Sequence, residues 1–356
     1  MLVRIGAFVT RYTDAGIPYR VWEVPLAAIA PSYMTCTVYL YSSVDAANRG
    51  LGFGGSGFVL GVPFVEHQRQ WHLYVVTNKH VIEPPEGPSN CVMRVNTRDG
   101  GSVSIPTQPD AWTKAINDDL ALIPFEPPDN WVPGLIATDT FLDESCEIND
   151  WPVYPGDDVV FFGRFVNHEG HQRNKPVARF GNISMMPDME APVRVWNQDQ
   201  LAFLVECRSL GGFSGSPAFV HLSHLRWMGG IKKDGLSPSQ PRFLGVDCAH
   251  LPFWSAIYER RGDPSTRIPN QWAETNSGIA VIVPAWHLLR LLSEEHLVRE
   301  REREEEQAKK DAETASRAVP DAAQQEEPFT KDDFELALKK VARKLPDSGT
   351  TQTSGE

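Results

Sequence analysis

Gly211-Gly212-Phe213-Ser214-Gly215-Ser216-Pro217-Ala218-Phe219 is the stretch on which the reading of this chain turns. Ser214 stands in a tight Gly-rich turn, with Gly212 two residues before it, Gly215 directly after, and an apolar run of strand character beyond. Two upstream segments likewise set a polar side chain at the end of an apolar run. Thr77-Asn78-Lys79-His80-Val81 places His80 after Leu73–Val76, and Asn117-Asp118-Asp119-Leu120-Ala121-Leu122-Ile123 places Asp119 at the head of an alternating strand. A Gly-Ser-Gly-Phe run, Gly55 to Phe58, precedes the histidine segment. Taken singly, each has a bland role: a histidine packed at a strand end, an Asp as turn residue or cap, a Gly turn. Their conjunction in one chain, in the order His, Asp, Ser, carries the chemical meaning.

A serine hydroxyl is a poor nucleophile at neutral pH, so an imidazole within hydrogen-bond reach must take its proton and later return it to the leaving amine. His80 is the candidate for that role. A buried carboxylate then fixes the imidazole tautomer and stabilises the imidazolium, which falls to Asp119, with Asp118 the weaker candidate beside it. The tetrahedral oxyanion needs two fixed N–H donors, and a Gly two before the serine lets the amides of Gly212 and Ser214 converge.

Working outward, the first 292 residues read as short apolar runs punctuated by turns: TCTVYLYSS, SGFVLGV, WHLYVVTNK, DLALIPFE, DVVFFGRF, LAFLVEC, SPAFVHL, RFLGVDC and GIAVIVP. Many short, turn-bounded strands predict an all-β sandwich or barrel. AWHLLRLLSEEHL follows, with Trp286, Leu289 and Leu292 at helical spacing and Leu288 and Leu291 broadening the stripe, so a helix closes the domain. Residues 293–356 then carry 17 acids and 11 bases, 28 of the 80 charged residues of the chain. That segment is a solvated helix or a disordered charged stretch. Residues 319–328 read as a linker, and FTKDDFELALKKVARKL as a short amphipathic helix with Thr330 and Asp333 at capping-box spacing. This last helix is either a marginal surface helix or a docking motif for a protein partner.

The whole chain has 356 residues and a formal charge of −12, which argues against nucleic-acid binding, because phosphate neutralisation needs a basic face. No apolar stretch approaches the roughly 18 residues of a membrane helix, and Arg4 and Arg11 interrupt the N-terminus before a signal-peptide core forms. Five scattered cysteines, an odd number without a C-x-x-C pair, suggest neither a disulfide framework nor a zinc knuckle. A cytoplasmic protein without membrane or nucleic-acid partners is expected. Asp247, Cys248 and His250 have metal-ligand chemistry but lack a remote fourth partner at diagnostic spacing, so neither metal nor cofactor is expected.

TNKHV, DLALI and GFSGSP resemble the three catalytic segments of the trypsin-like (chymotrypsin-fold) serine proteases, in particular the bacterial cytoplasmic and HtrA-type branch. The resemblance spans about Thr35 to Leu292. It implies two packed six-stranded Greek-key β-barrels with the active site between them, a C-terminal helix on the second barrel, and hydrolysis of protein or peptide substrates. The resulting division is an N-terminal extension at 1–34, a protease domain at 35–292 whose barrels meet near 130–155, a charged helix or linker at 293–327, a short helix at 328–345 and a tail at 346–356. By the same matching, RFLGVDCAH is similar to the strand along which the substrate backbone pairs, and Arg208 falls at the floor of the specificity pocket, with Asp247 and His250 beside it. Two readings of that pocket stand: Arg208 selects an acidic residue before the scissile bond, or it pairs with Asp247 in a pocket for small or apolar side chains.

Departures from the family pattern also inform. Phe213 stands where the secreted enzymes carry an Asp that pairs with a new N-terminus, so activation by N-terminal cleavage is not expected, and the charged tail is no PDZ domain. An α/β-hydrolase would need G-x-S-x-G and the order Ser, Asp, His, neither of which is present. The remaining rival is a protease-fold peptide-binding or scaffolding module, which has no need of an intact His80, Asp119 and Ser214.

Overall fold

The run Asp158-Val159-Val160-Phe161-Phe162-Gly163 is apolar without alternation because both of its faces are buried. Val159 and Phe161 point into one core while Val160 and Phe162 point into another. The same period-two split recurs in Gly278–Pro284, where Ala280 and Ile282 enter the first core and Val281 and Val283 the second. Strands buried on both faces are covered on each side, here because their sheet closes into a barrel that packs against a second sheet.

The computed structural model describes residues 7–12, 18–23, 32–52, 54–65, 70–148, 151–165, 170, 172–195, 198–207, 212–222, 241–261 and 263–318. Eight strands form the N-terminal sheet: β1 Thr37–Tyr41, β2 Ser56–Pro63, β3 Trp71–Thr77, β4 Val92–Asn96, β5 Ser102–Pro106, β6 Thr113–Lys114, β7 Ala121–Pro124 and β8 Ile136–Ala137. Their order is β5-β4-β1-β2-β3-β7-β6, with β8 parallel to β2. Six more strands, β9 Asp158–Gly163, β10 Val177–Met185, β11 Phe203–Glu206, β12 Pro217–His221, β13 Arg242–Tyr258 and β14 Arg267–Pro284, close a barrel in the order β9-β10-β11-β14-β13-β12. A short helix α1 (Lys79–Ile82) follows β3, and helix α2 (Ala285–Leu292) follows the barrel.

The all-β class with a closing helix is therefore as expected, and so is a six-stranded C-terminal barrel. The N-terminal half differs from the six-stranded barrel that the resemblance implied. It is an eight-stranded sheet whose end strands β5 and β6 do not pair with each other among the described residues. Strand β6 has only two residues to offer a ladder, and the interior is filled instead by Trp112, Phe125 and Trp131. Phe58, Leu60, Tyr74 and Val76 of the sheet pack against Val160, Phe162, Phe219 and Phe243 of the barrel, and this apolar seam lies beneath the site.

Strands β13 and β14 outrun the sequence expectation. They pair from Gly245–Pro284 out to Tyr258–Arg267, a two-stranded arm carrying exposed Phe253, Trp254 and Trp272. Exposed aromatic residues leave no in-out alternation to read. Helix α2 buries Trp286, Leu288, Leu291 and Leu292 on the expected stripe, and also His287, which the stripe did not include.

The chain divides into two compact units, Met1–Val298 and Arg299–Glu356. Helix α3 (Glu295–Ala318) begins in the first unit, where Leu297 is buried in the same core as Leu288 and Leu291. The expected helix at 328–345 and the tail lie outside the described residues, as do most of residues 1–34, of which the described parts include a hairpin pairing Ala7–Tyr12 with Pro18–Glu23. Among the described residues no helix is long and apolar enough to cross a membrane.

Candidate active site

His80 sits in α1, one turn long, directly after β3. The turn is pinned from three sides: Thr77 Oγ1 donates to the Ser56 carbonyl at 2.7 Å, Asn78 Nδ2 to the Asp119 carbonyl at 2.7 Å, and Lys79 Nζ to the Ala115 carbonyl at 2.9 Å. Asn78 thus uses its side chain to bind the Asp119 loop instead of capping its own helix. The Asp119 carboxylate receives both the His80 backbone N–H, at 3.1 Å, and the ring atom Nδ1, at 2.5 Å. A carboxylate accepts, so Nδ1 carries the proton and Nε2 is left as the basic nitrogen. The two side chains are 20% and 13% exposed, enough for a substrate to reach the imidazole while the carboxylate stays sheltered.

Ser214 is half-buried in the loop before β12. Gly212 and Gly215 take φ of +94° and +85°, left-handed values that a side chain would strain, and together they bend the chain around the serine. A Cβ on Gly215 would lie 2.0 Å from the Ser56 carbonyl oxygen. Ser56 of β2 is the tie between the two layers: its N–H donates to the Ser214 carbonyl at 2.8 Å, its Oγ donates to the Gly212 carbonyl at 2.8 Å and accepts the Arg164 N–H at 2.8 Å. Gly55 fills the narrow space next to it, since a Cβ there would lie 2.5 Å from Val81 and 3.1 Å from the Ser214 carbonyl oxygen. The His80 segment and the Ser214 loop are thereby brought to opposite sides of one glycine.

Within the loop, Gly215 N–H donates to the Asp247 carbonyl and Ser216 N–H to that of Phe213, both at 2.8 Å. The N–H groups of Gly212 and Ser214 donate to no backbone carbonyl among the described residues. Beside His80 and Asp119 lies a cavity of about 190 Å³, lined also by Lys79, Glu83, Gln200 and Cys248. A larger cavity of about 470 Å³ between Met34, Asn96 and Arg173 holds neither histidine nor serine and is remote from this chemistry.

Of the pocket residues expected from the sequence, Arg208 lies outside the described residues. Asp247 is 2% exposed and anchors the serine loop through its backbone, and His250 stands half-buried farther along β13, opposite Ala280. Sequence reasoning missed four participants: Ser56, Gln200, His287 and Cys248 as a neighbour of the dyad. Cys248 is a fully buried thiol, which burial first, and then the carboxylates of Asp119, Asp247 and Asp118, push well above the ordinary thiol range, so it is neutral. Asp118 also has a defined role. Although burial raises its pKa, hydrogen bonds from His287 and Gln200 outweigh that and hold it below the usual carboxylate value.

Residues 55–224 match the family model of the trypsin-like peptidase domain. No curated protein matches the chain. Among solved structures, that of the Rv3671c protease in an inactive form is 15% identical, with a TM-score of 0.39 over 76% of this chain and 91% of that one. A serine-to-alanine variant of Rv3671c from M. tuberculosis H37Rv, also in an inactive form, is 16% identical, with a TM-score of 0.36 over 76% and 90%. Residues 55–224, which carry all three motifs, are thus similar to a trypsin-like peptidase domain.

Proposed function

We propose that this protein is a serine endopeptidase that cleaves peptide bonds through an acyl-enzyme on Ser214. The observation that carries the reading is the 2.5 Å contact between His80 Nδ1 and Asp119, two residues that line a cavity of about 190 Å³. With Nδ1 committed to the carboxylate, Nε2 takes the Ser214 proton as the hydroxyl attacks the scissile carbonyl. The imidazolium is stabilised by Asp119, and the oxyanion is received by the amides of Gly212 and Ser214. His80 then protonates the leaving amine, and water repeats the sequence to release the acyl group. No cofactor enters the scheme. Five cysteines that remain thiols favour a reducing compartment, hence the cytoplasm, as the place of action.

A fluorophosphonate probe, which labels activated serine hydroxyls, tests the reading on the full chain and its Ser214→Ala variant. Labelling of the parent alone is the expected result. Absence of labelling in folded parent protein overturns the reading in favour of a peptide-binding module on a protease fold.

A further inference from the structure

Beside the His80–Asp119 pair stands a second imidazole–carboxylate pair, formed by the neighbouring residue in the chain. Asp118 Oδ1 accepts His287 Nδ1 at 2.7 Å and Gln200 Nε2 at 2.8 Å. The same Gln200 side chain accepts the Asp119 N–H on its Oε1 at 3.4 Å, while its Nε2 also reaches the Leu201 carbonyl at 3.1 Å. A continuous set of polar contacts therefore runs from helix α2, through Asp118 and Gln200, to the backbone of the carboxylate that orients His80. We propose that His287 and Gln200, acting through Asp118, are positioning residues that hold Asp119 in register with His80, making the closing helix part of the active-site framework. This rests on the serine-protease reading above.

Three features favour that role over simple packing. His287 occupies a helix face otherwise built of Trp286, Leu288, Leu291 and Leu292, where an apolar residue would pack without polar cost. Its side chain is 7% exposed, and its Nε2 has no hydrogen-bond partner among the described residues, so the ring is retained for what Nδ1 does. Both contacts to Asp118 end on one oxygen, which fixes the carboxylate plane and, through the single peptide link between residues 118 and 119, the direction of the next side chain. Charged and titratable groups facing this cluster are Lys79 from α1, His80 and Asp119, Asp247 and Cys248 from β13, and His287 from α2.

The test measures the second-order rate of fluorophosphonate labelling of Ser214 across pH, in full-length protein checked for a native melting transition. His287→Ala is expected to slow labelling about tenfold, and His287→Asn, whose Nδ2 can take the place of the imidazole Nδ1 donor, to restore it to within about threefold of the parent. Asp118→Asn keeps an oxygen for both donors but removes a negative charge beside His80. It should move the acid limb of the profile to lower pH, because the imidazolium loses a neighbouring negative charge. Equal rates for His287→Ala and His287→Asn, or an acid limb unmoved in Asp118→Asn, overturn the proposal while leaving the protease reading intact. Should His287→Ala fail to fold, the His287→Asn and Asp118→Asn profiles decide alone. A folded parent that is never labelled instead removes the serine-protease reading, and this proposal with it.

Discussion

The N-terminal sheet and the C-terminal barrel do different work at the site, and their construction matches the work. The sheet has two end strands that do not pair with each other among the described residues, and it supplies His80 and Asp119 from short connections at the ends of β3 and β7. The barrel is closed, and it supplies Ser214 from a loop bent by two left-handed glycines and tied by backbone hydrogen bonds to Asp247. A base and its orienter are aligned by one short contact, although the base must also reach the serine. An oxyanion hole needs two amide directions correct at once, and that demands a rigid backbone. The two halves are joined by the apolar seam and by polar ties across it, among them those of Ser56.

Substitutions can break or sharpen this contrast. The largest effect is expected on the sheet side, where Asp119→Asn leaves the fold intact but frees His80 to adopt the wrong tautomer, lowering turnover by about four orders of magnitude. Peptide hydrolysis within tenfold of the parent would remove Asp119 from its assignment. On the barrel side, Gly215→Ala forces a side chain onto φ +85° and to 2.0 Å from the Ser56 carbonyl. It should cost about 2–4 kcal/mol in urea unfolding as well as activity, because here the rigidity of the site and the stability of the barrel are one property. Loss of activity without loss of stability would separate the two. Ser56→Ala removes the seam tie, leaving the Gly212 carbonyl and the Arg164 N–H short of a partner, at about 1–3 kcal/mol of stability. If its rate of serine labelling equals that of the parent, the halves are coupled through something other than Ser56.

The smaller effects concern the second pair and the end of the domain. Asp118 has a folded-state pKa below its ordinary value, so its contacts stabilise the fold above about pH 4, where the unfolded carboxylate is ionised, and lose that contribution as pH falls through the folded value. The stability difference between the parent and Asp118→Asn should therefore be largest near neutral pH and close in acid, a course that denaturant midpoints across pH will record. Finally, truncation after Val298 should leave both stability and small-probe labelling near the parent, whereas truncation before Glu294 removes the buried Leu297 and destabilises the first unit. Equal melting temperatures for the two truncations would show that Leu297 adds nothing to the core.

Much of the site was legible because its chemistry is local. Ser214 with its glycines, His80 after an apolar run and Asp119 before one are each declared by immediate neighbours in the chain, and so is the strand character of the segments that bear them. Strand β10 was not legible, because most of its residues are partly or fully exposed and no alternation marks them. Ser56 was visible only as part of a Gly-Ser-Gly strand, and nothing in that run announces a hydroxyl that bonds residues more than 100 positions away. His287 did carry a signal, a lone imidazole inside an apolar helix face, but its meaning depended on which loop that face would meet.

Composition, periodicity and motif order were enough to establish an all-β chain ending in a helix, with the residue types for nucleophilic hydrolysis in a definite order. They could do so because turn chemistry and side-chain alternation are short-range properties of the backbone. That Asp118 meets the closing helix, whether the first half closes into a barrel, and what joins the two halves were decided only by folding. Those outcomes depend on strand register and on contacts between residues far apart in the chain, such as that of His287 with Asp118.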